Sequence, residues 1–300
     1  MTRPHSTRPG LFRRDLPDGR LHLQEGPIDL VIEAFGARAE VRRAYDAAAA
    51  CFQEVLPDLV AELTALRRPL REDTPPFSGP VARRMAAVCH PHRVAVVTPM
   101  AAVAGAVADH VLAAMTGAAA LTRAYVNNGG DIALHLTPGE SLACGLVAQI
   151  ADPQLNGRAV ITSELPLRGI ATSGRATQGQ GGRSFSLGIA DAVTVFARSA
   201  AEADVAATLV ANAVDLPGHE AILRRPAEEI DPESDLGARP VTVALGKLSD
   251  AEITAALRRG QALAAEMQAA GLIEAAVLFL RGQAEVVGAL PLLAGLPSAA

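Results

Sequence analysis

Asn127-Asn128-Gly129-Gly130-Asp131 stands between two short runs in which apolar and polar residues alternate, Arg123–Asn127 and Ile132–Leu136. Alternation with a period of two predicts strands, and Asn-Gly between them is a strong signal for a tight hairpin. Successive glycines accept positive φ and let another group approach the backbone closely. The stretch therefore reads either as a plain antiparallel turn or as a turn bordering a ligand. Both readings stay open on these residues alone.

Working outward, the same punctuation recurs. Upstream, Arg20–Gln24 and Asp29–Phe35 alternate around Glu25-Gly26-Pro27. Downstream, strands are predicted at 142–150, 159–163, 169–172, 192–197 and 241–245, with a last hairpin of 275–280 and 285–288 around Gly282. Helical spacing interrupts them. Val41, Tyr45, Ala48, Phe52, Leu56, Leu59, Leu63 and Leu66 form one apolar stripe, which Pro57 should kink or split. Further helices are predicted over Val103–Met115, over Ser199–Val214 and from Ser249 to about Ala269, the last two opened by Ser-x-x-Glu capping boxes. Residues 67–80 read as a connecting loop and 219–240 as a loop or insertion. Runs of strands broken by a few long helices give an α+β class with mixed or antiparallel sheets and packed long helices. No fixed-period repeat is visible. The organisation expected is a tail over 1–19, one domain over 20–292 and a C-terminal tail over 293–300.

The composition narrows the functions. Half of the 300 residues are apolar, only 3% are aromatic and Trp is absent. Ala, Val and Leu must fill the interior at close approach. The net charge of −5 offers no basic patch for nucleic acid, and the basic cluster from Arg3 to Arg14 reads as tail. Three widely spaced cysteines, Cys51, Cys89 and Cys144, argue against a disulfide framework. No secretory signal pattern opens the chain, and Pro99–Leu121, which holds Asp109 and His110, reads as too weakly apolar to span a bilayer. The expectation is a cytoplasmic protein with no membrane partner.

Four further motifs carry chemistry. Ala171-Thr172-Ser173-Gly174 precedes a loop holding Gly179, Gly181 and Gly182. Its hydroxyls and amides suit phosphate or flavin oxygens, or the segment is only a flexible hairpin. Asp204 and Thr208, four apart on a capped helix, project from one face. Together they suit a hard cation such as Mg²⁺, or Asp204 only complements the helix dipole. Met100-Ala101-Ala102-Val103-Ala104-Gly105 opens a helix of small residues, and Asp109 follows in it. A carboxylate there needs partners if buried, which makes Asp109 the candidate catalytic residue. Cys89-His90-Pro91-His92 suggests zinc, but no second Cys/His cluster stands at finger-like spacing.

The order Ala104-Gly105…Asp109, Gly129-Gly130-Asp131, Ala171-Thr172-Ser173-Gly174 and Ala203-Asp204…Thr208 resembles the FAD:protein FMN transferases of the ApbE-like superfamily. The chain is most similar to a branch of it, uncharacterised protein family 0280. That branch reads Pro-Met-Ala-Ala-Val-Ala-Gly, Asn-Gly-Gly-Asp and Ala-Asp-Ala-Val-Thr-Val, as do residues 99–105, 128–131 and 190–195. The resemblance covers about residues 20–290 and implies an ApbE-like (T-fold-like) fold. It implies Mg²⁺ held by Asp204, Thr208 and a backbone carbonyl near Ala101. Asn128, Gly129, Gly130, Asp131, Thr172, Ser173 and Gly174 would border a cleft for FAD or a related nucleotide. In the transferases Mg²⁺ polarises the FAD diphosphate while a target-protein hydroxyl attacks the FMN phosphorus.

Two departures stand out. Ala104 replaces the transferase Lys, and Ser186-Leu187-Gly188-Ile189-Ala190-Asp191 replaces the His-Ile-(Ile/Leu)-Asp-Pro motif. They leave three functions in play: a flavin or nucleotide enzyme, an enzyme on another phosphorylated or pterin-like molecule, and a non-catalytic flavin-binding scaffold. The Ala-rich core and apolar C-terminal segment suggest a homodimer.

Overall fold

Leu21, Leu23, Leu30 and Ile32 stand at every second position of their strands and are fully buried, so one face of the hairpin must be covered by something apolar. A computed structural model of the chain, which describes residues 10–95, 97–147, 155–174, 185–232, 234–289 and 292–294, shows what covers it. The strands β2 (Leu21–Glu25) and β3 (Ile28–Phe35) lie under the 24-residue helix α1 (Arg38–Ala61). Phe52 of that helix is completely buried. The helix α4 (Val103–Ala118) packs beside it. It delivers the chain into β4 (Arg123–Asn128) and β5 (Asp131–Leu136), which join through Gly129 and Gly130.

The same order then returns. β8 (Gly169–Ser173) and β9 (Ala192–Ala197) are followed by α5 (Ala200–Ala213), α6 (Asp250–Ala269), β12 (Ala275–Leu280) and β13 (Gln283–Val287). Each half is a hairpin, two long helices and a second hairpin. The halves join at β5 and β8, and with β1 (Phe12–Asp15) at the edge they form one nine-stranded sheet, ordered β1-β2-β3-β4-β5-β8-β9-β12-β13 and antiparallel throughout. The long helices lie on one face. The hairpin β6 (Ser141–Val147) and β7 (Leu155–Thr162), with β14 (Leu292–Ala294) at its edge, forms a second sheet. Ala159 and Ile161 of β7 meet Leu134, Phe196, Val277 and Phe279 on the opposite face.

Several expectations are corrected. Residues 12–15, expected within the tail over 1–19, form β1 (Phe12–Asp15), which pairs with β2. At the other end β14 includes Ala294 and pairs with β7. Pro57 does not split α1, which runs through it to Ala61 and is capped at Glu62 before the one-turn α2 (Leu63–Leu66). The Glu62 carboxylate then accepts the amides of Ser78 and Gly79, at 2.9 and 2.7 Å. It so caps a helix the sequence reading omits, α3 (Pro80–Cys89). The supposed loop 219–240 contains β10 (Ile222–Pro226), paired with β11 (Pro240–Leu245) through a bulge. The end of the strand expected at 142–150 and the glycines at 179, 181 and 182 lie outside the described residues.

By length and composition Pro99–Ala118 could cross a membrane, with a mean hydropathy of 1.4. In the fold it is a 3-10 turn, Pro99–Ala102, followed by α4, whose Ala106, Val107, Ala108, Val111 and Met115 are buried against the core.

Candidate functional site

The site is assembled where the two halves meet. α4 and α5 run antiparallel, staggered so that mainly their first turns overlap: Gly105 lies beside Asp204, and Asp109 beside Ala200. Gly105 makes this approach feasible. A Cβ at that position would stand 2.2 Å from the Ala200 carbonyl oxygen. Gly169 does the same for the strand below, where a Cβ would meet the Ser199 carbonyl carbon at 1.9 Å. Small residues thus bring α5 down onto β8, which places its first turns over the end of the sheet.

Each helix start is completed by a carboxylate from the other. Asp204 Oδ2 accepts the Gly105 amide at 3.0 Å. Asp109 Oδ1 and Oδ2 accept the amides of Ala200 and Ala201, both at 3.1 Å, and Arg84 Nη1 stands 3.6 Å from Oδ2. The next amide of α5, Glu202, donates to its own cap, Ser199 Oγ, at 3.2 Å. These are the otherwise unsatisfied donors of helix N-termini, met by acceptors the helix dipole also favours. The partners Asp109 needs are therefore two backbone amides and an arginine.

The Asn-Gly-Gly-Asp turn closes the site from the sheet. Gly129 and Gly130 hold φ of +63° and +113°, and a Cβ on either would meet nothing within 4 Å. Their role in the fold is conformational, and the space above them is open. Asn128, 8% exposed, donates to the Ala104 carbonyl at 3.1 Å and so ties the turn to the start of α4. Asn127 Oδ1 accepts the Gly130 amide at 2.8 Å. By strand alternation Asp131 shares its face with Ala133, the helix-covered one, and it is close enough to Asp204 for the two charges to interact.

That proximity has an electrostatic consequence. Burial pushes the Asp131 carboxyl well above the ordinary range, the Asp204 charge adds to the push, and the Thr172 amide, 3.3 Å from Oδ1, opposes it. Burial likewise lifts Asp204, to about 7, against the pull of the Gly105 and Ala104 amides. Two carboxylates in one partly enclosed place cannot both be charged cheaply. Protonation of one of them, or a nearby cation, relieves the repulsion.

The other expected site residues divide. Thr208 is one turn beyond Asp204 on α5 and half-buried. Ala101 lies in the 3-10 turn that packs against α5. That turn is held from outside: the Thr98 hydroxyl donates to Asp235 at 2.6 Å, from the connection between β10 and β11. Ser173 follows Ala171 on the face under α5, whereas the Thr172 hydroxyl is paired with that of Thr194 at 2.9 Å on the other face. Thr172 reaches the site with its amide rather than its hydroxyl. Gly174 has φ of +139° and no room for a Cβ, which would come 2.7 Å from the Asp191 carbonyl oxygen. One hollow adjoins the start of α5, lined by Arg83, Arg84, Arg198, Ser199 and Glu202, and another is lined by Arg67, Arg68 and Asp235.

Both departures from the transferase pattern have structural settings. Ala104 contributes only backbone groups, to Asn128 and Asp204. Ser186, 5% exposed, folds back on Gly188, and its carbonyl accepts the Thr242 amide. The Cys89 thiol donates to the Thr98 carbonyl at 3.7 Å, and its burial raises its pKa to about 12. No group of three potential metal-ligating side chains from His, Cys, Asp and Glu gathers among the described residues. The residues that sequence reasoning missed are Thr98 and Asp235, 137 positions apart, which no local signal joins.

Comparison with known proteins follows this geometry. A family model described as "AbpE bacteria" matches residues 13–286. A UPF0280 protein of Methanothrix thermoacetophila is 36% identical over 181 residues, 60% of this chain and 69% of that protein. One from Methanopyrus kandleri is 38% identical over 151 residues, 50% of this chain and 56% of that protein. Among solved structures, the ApbE protein of Thermotoga maritima aligns with a TM-score of 0.47 at 11% identity, covering 92% of this chain and 96% of that one.

Proposed function

Because the chain belongs to the UPF0280 family of ApbE-like proteins, we propose that it binds a flavin or related nucleotide together with a divalent cation where its two halves meet. The observation that carries this reading is that Asp131, which ends an open glycine turn, lies near enough to Asp204 for their charges to interact. Such a donor set fits a hard cation. Asp204 and Thr208 would hold Mg²⁺ through their side chains, with the Ala101 carbonyl as third donor and Asp131 alongside. Bound there, Mg²⁺ supplies charge neutralisation for the phosphates of a nucleotide.

The chain's own groups have distinct tasks in this reading. The Gly129 amide, with the Ser173 hydroxyl, would offer donors to a phosphate or flavin edge. Asn128 and Asp131 fix the turn against α4 and β8, so that these donors are aimed before a ligand arrives. We place the protein in the cytoplasm, with a small-molecule nucleotide as its partner.

Titration calorimetry of the purified chain with FAD, FMN and ATP, each with and without Mg²⁺, tests the reading. Micromolar, Mg²⁺-dependent binding of one of them is expected, with Asp204→Ala weakening it at least tenfold. Failure of every nucleotide to bind with Mg²⁺ would sink it. A second reading, chemistry on another phosphorylated or pterin-like molecule, is favoured by the buried Ser186 turn standing where the transferase pattern has a His, a candidate acid–base or nucleotide-contacting group.

A further inference from the structure

We infer that Asp109 is a positioning residue for the candidate cation site, holding the first turn of α5 so that Asp204 stands over Asp131. The inference rests on the cation reading above and deepens it, since it assigns a task to a carboxylate that makes none of the site's contacts. Both Asp109 oxygens are committed to backbone amides, at 3.1 Å each. A carboxylate so engaged is poorly placed to accept a proton from a substrate.

The donors of the first turn of α5 can be counted off. Ala200 and Ala201 give their amides to Asp109, Glu202 gives its own to Ser199 Oγ, and Ala203 gives its own to the Ser199 carbonyl. Without Asp109, two amides of a helix start buried at Ala200 and Ala201 have no acceptor. Asp204 is one turn further on the same rigid element, and a helix advances about 1.5 Å per residue. Any shift of Ala200 that seeks a new acceptor carries Asp204 with it. Asp204 in turn holds the Gly105 amide of α4, whose neighbour Ala104 is bound by Asn128 of the glycine turn. The two carboxylates thus form a reciprocal clasp, and the site's acid and the site's turn are tied to opposite sides of it.

Asparagine is nearly isosteric with aspartate but presents an NH₂ group to one of the two amides, donor against donor. Asp109→Asn is therefore the decisive variant, read with Mn²⁺ as the calorimetric probe and with amide exchange by NMR. Exchange at Ala200 and Ala201 should quicken by at least tenfold while amides of α6 stay protected. Mn²⁺ affinity should fall at least tenfold, although Asp109 is no ligand. Unchanged Mn²⁺ affinity in a folded variant with freed amides overturns the inference, as do amides that remain protected.

Should Asp109→Asn not fold, the unaltered chain supplies another arm. Coupling is reciprocal, so saturating Mg²⁺ must slow exchange at Ala200, Ala201 and Gly105. Indifference of those amides to a cation that binds also overturns the inference. If the unaltered chain binds neither cation, the cation reading fails separately. The clasp is then judged by whether Asp109→Asn moves the Asp204 carboxyl ¹³C resonance, and a resonance that stays put overturns it.

Discussion

The two halves share one order of elements but pack by opposite means. Beneath α1 and α4 the first half buries large side chains, among them Phe52, Met115, Leu21, Leu30 and Ile32. Beneath α5 and α6 the second half buries Ala203, Ala206, Ala207 and Ala211, with Gly169, Gly188 and Gly260 at contacts that exclude even a methyl group. Large side chains hold a helix away from its sheet, and small ones let the backbones approach. Small residues bring the start of α5 close to β8, and Gly105 of α4 lets the two helix starts meet, so that carboxylates and amides share one place. The candidate site belongs to the junction because the closely packed half reaches toward it.

This contrast can be broken by substitution. The largest effect is expected at Gly169→Ala, whose methyl would overlap the backbone at Ser199. Neither backbone can yield locally, so urea unfolding should show a loss beyond the about 4–5 kcal/mol that marks exceptional single changes. A loss under about 1 kcal/mol would erase the distinction drawn here. Phe52→Ala in the first half should cost about 3–5 kcal/mol, the range for emptying a buried aromatic site, and its cavity should accept a small apolar probe.

The smallest effect concerns α6. Glu252 accepts from His219 and from the Ser249 amide, the His219 contact leading, and its carboxyl is held down to about 2. A depressed folded-state value means that its contribution is present above the unfolded value near 4.5 and is lost as pH falls toward 2. An NMR titration should find the midpoint well below that of ordinary glutamates, and His219→Gln should raise it. A midpoint that does not respond to His219→Gln would remove the imidazole as the main cause.

Much of the sheet was legible because period-two alternation and Asn-Gly or Gly-rich turns are local signals. The Ser249 capping box was legible for the same reason, and both its bonds are present. β10 escaped because its bulge between Leu223 and Arg224 breaks the alternation. α3 escaped because Pro80 reads as a loop residue beside its neighbouring prolines, whereas a proline at the first position of a helix is favourable. β1 is only four residues long, three of them charged, and shows itself only through its pairing with β2. The duplicated order was invisible because the halves fill their cores with residues of different size and carry different insertions, α2 and α3 in one, β10 and β11 in the other. Within the site, the residue types at Asp131, Asp204 and Asp109 could be read. That Asp109 would meet Ala200, 91 positions away, could not.

The exchange of acceptors between α4 and α5 bears on how such a chain can change over time. Two tandem modules that each finish their own helices could be separated, shuffled or replaced one at a time. Here neither can be excised without stripping a neighbour's opening turn of its acceptor, so the pair is bound to be inherited as a unit.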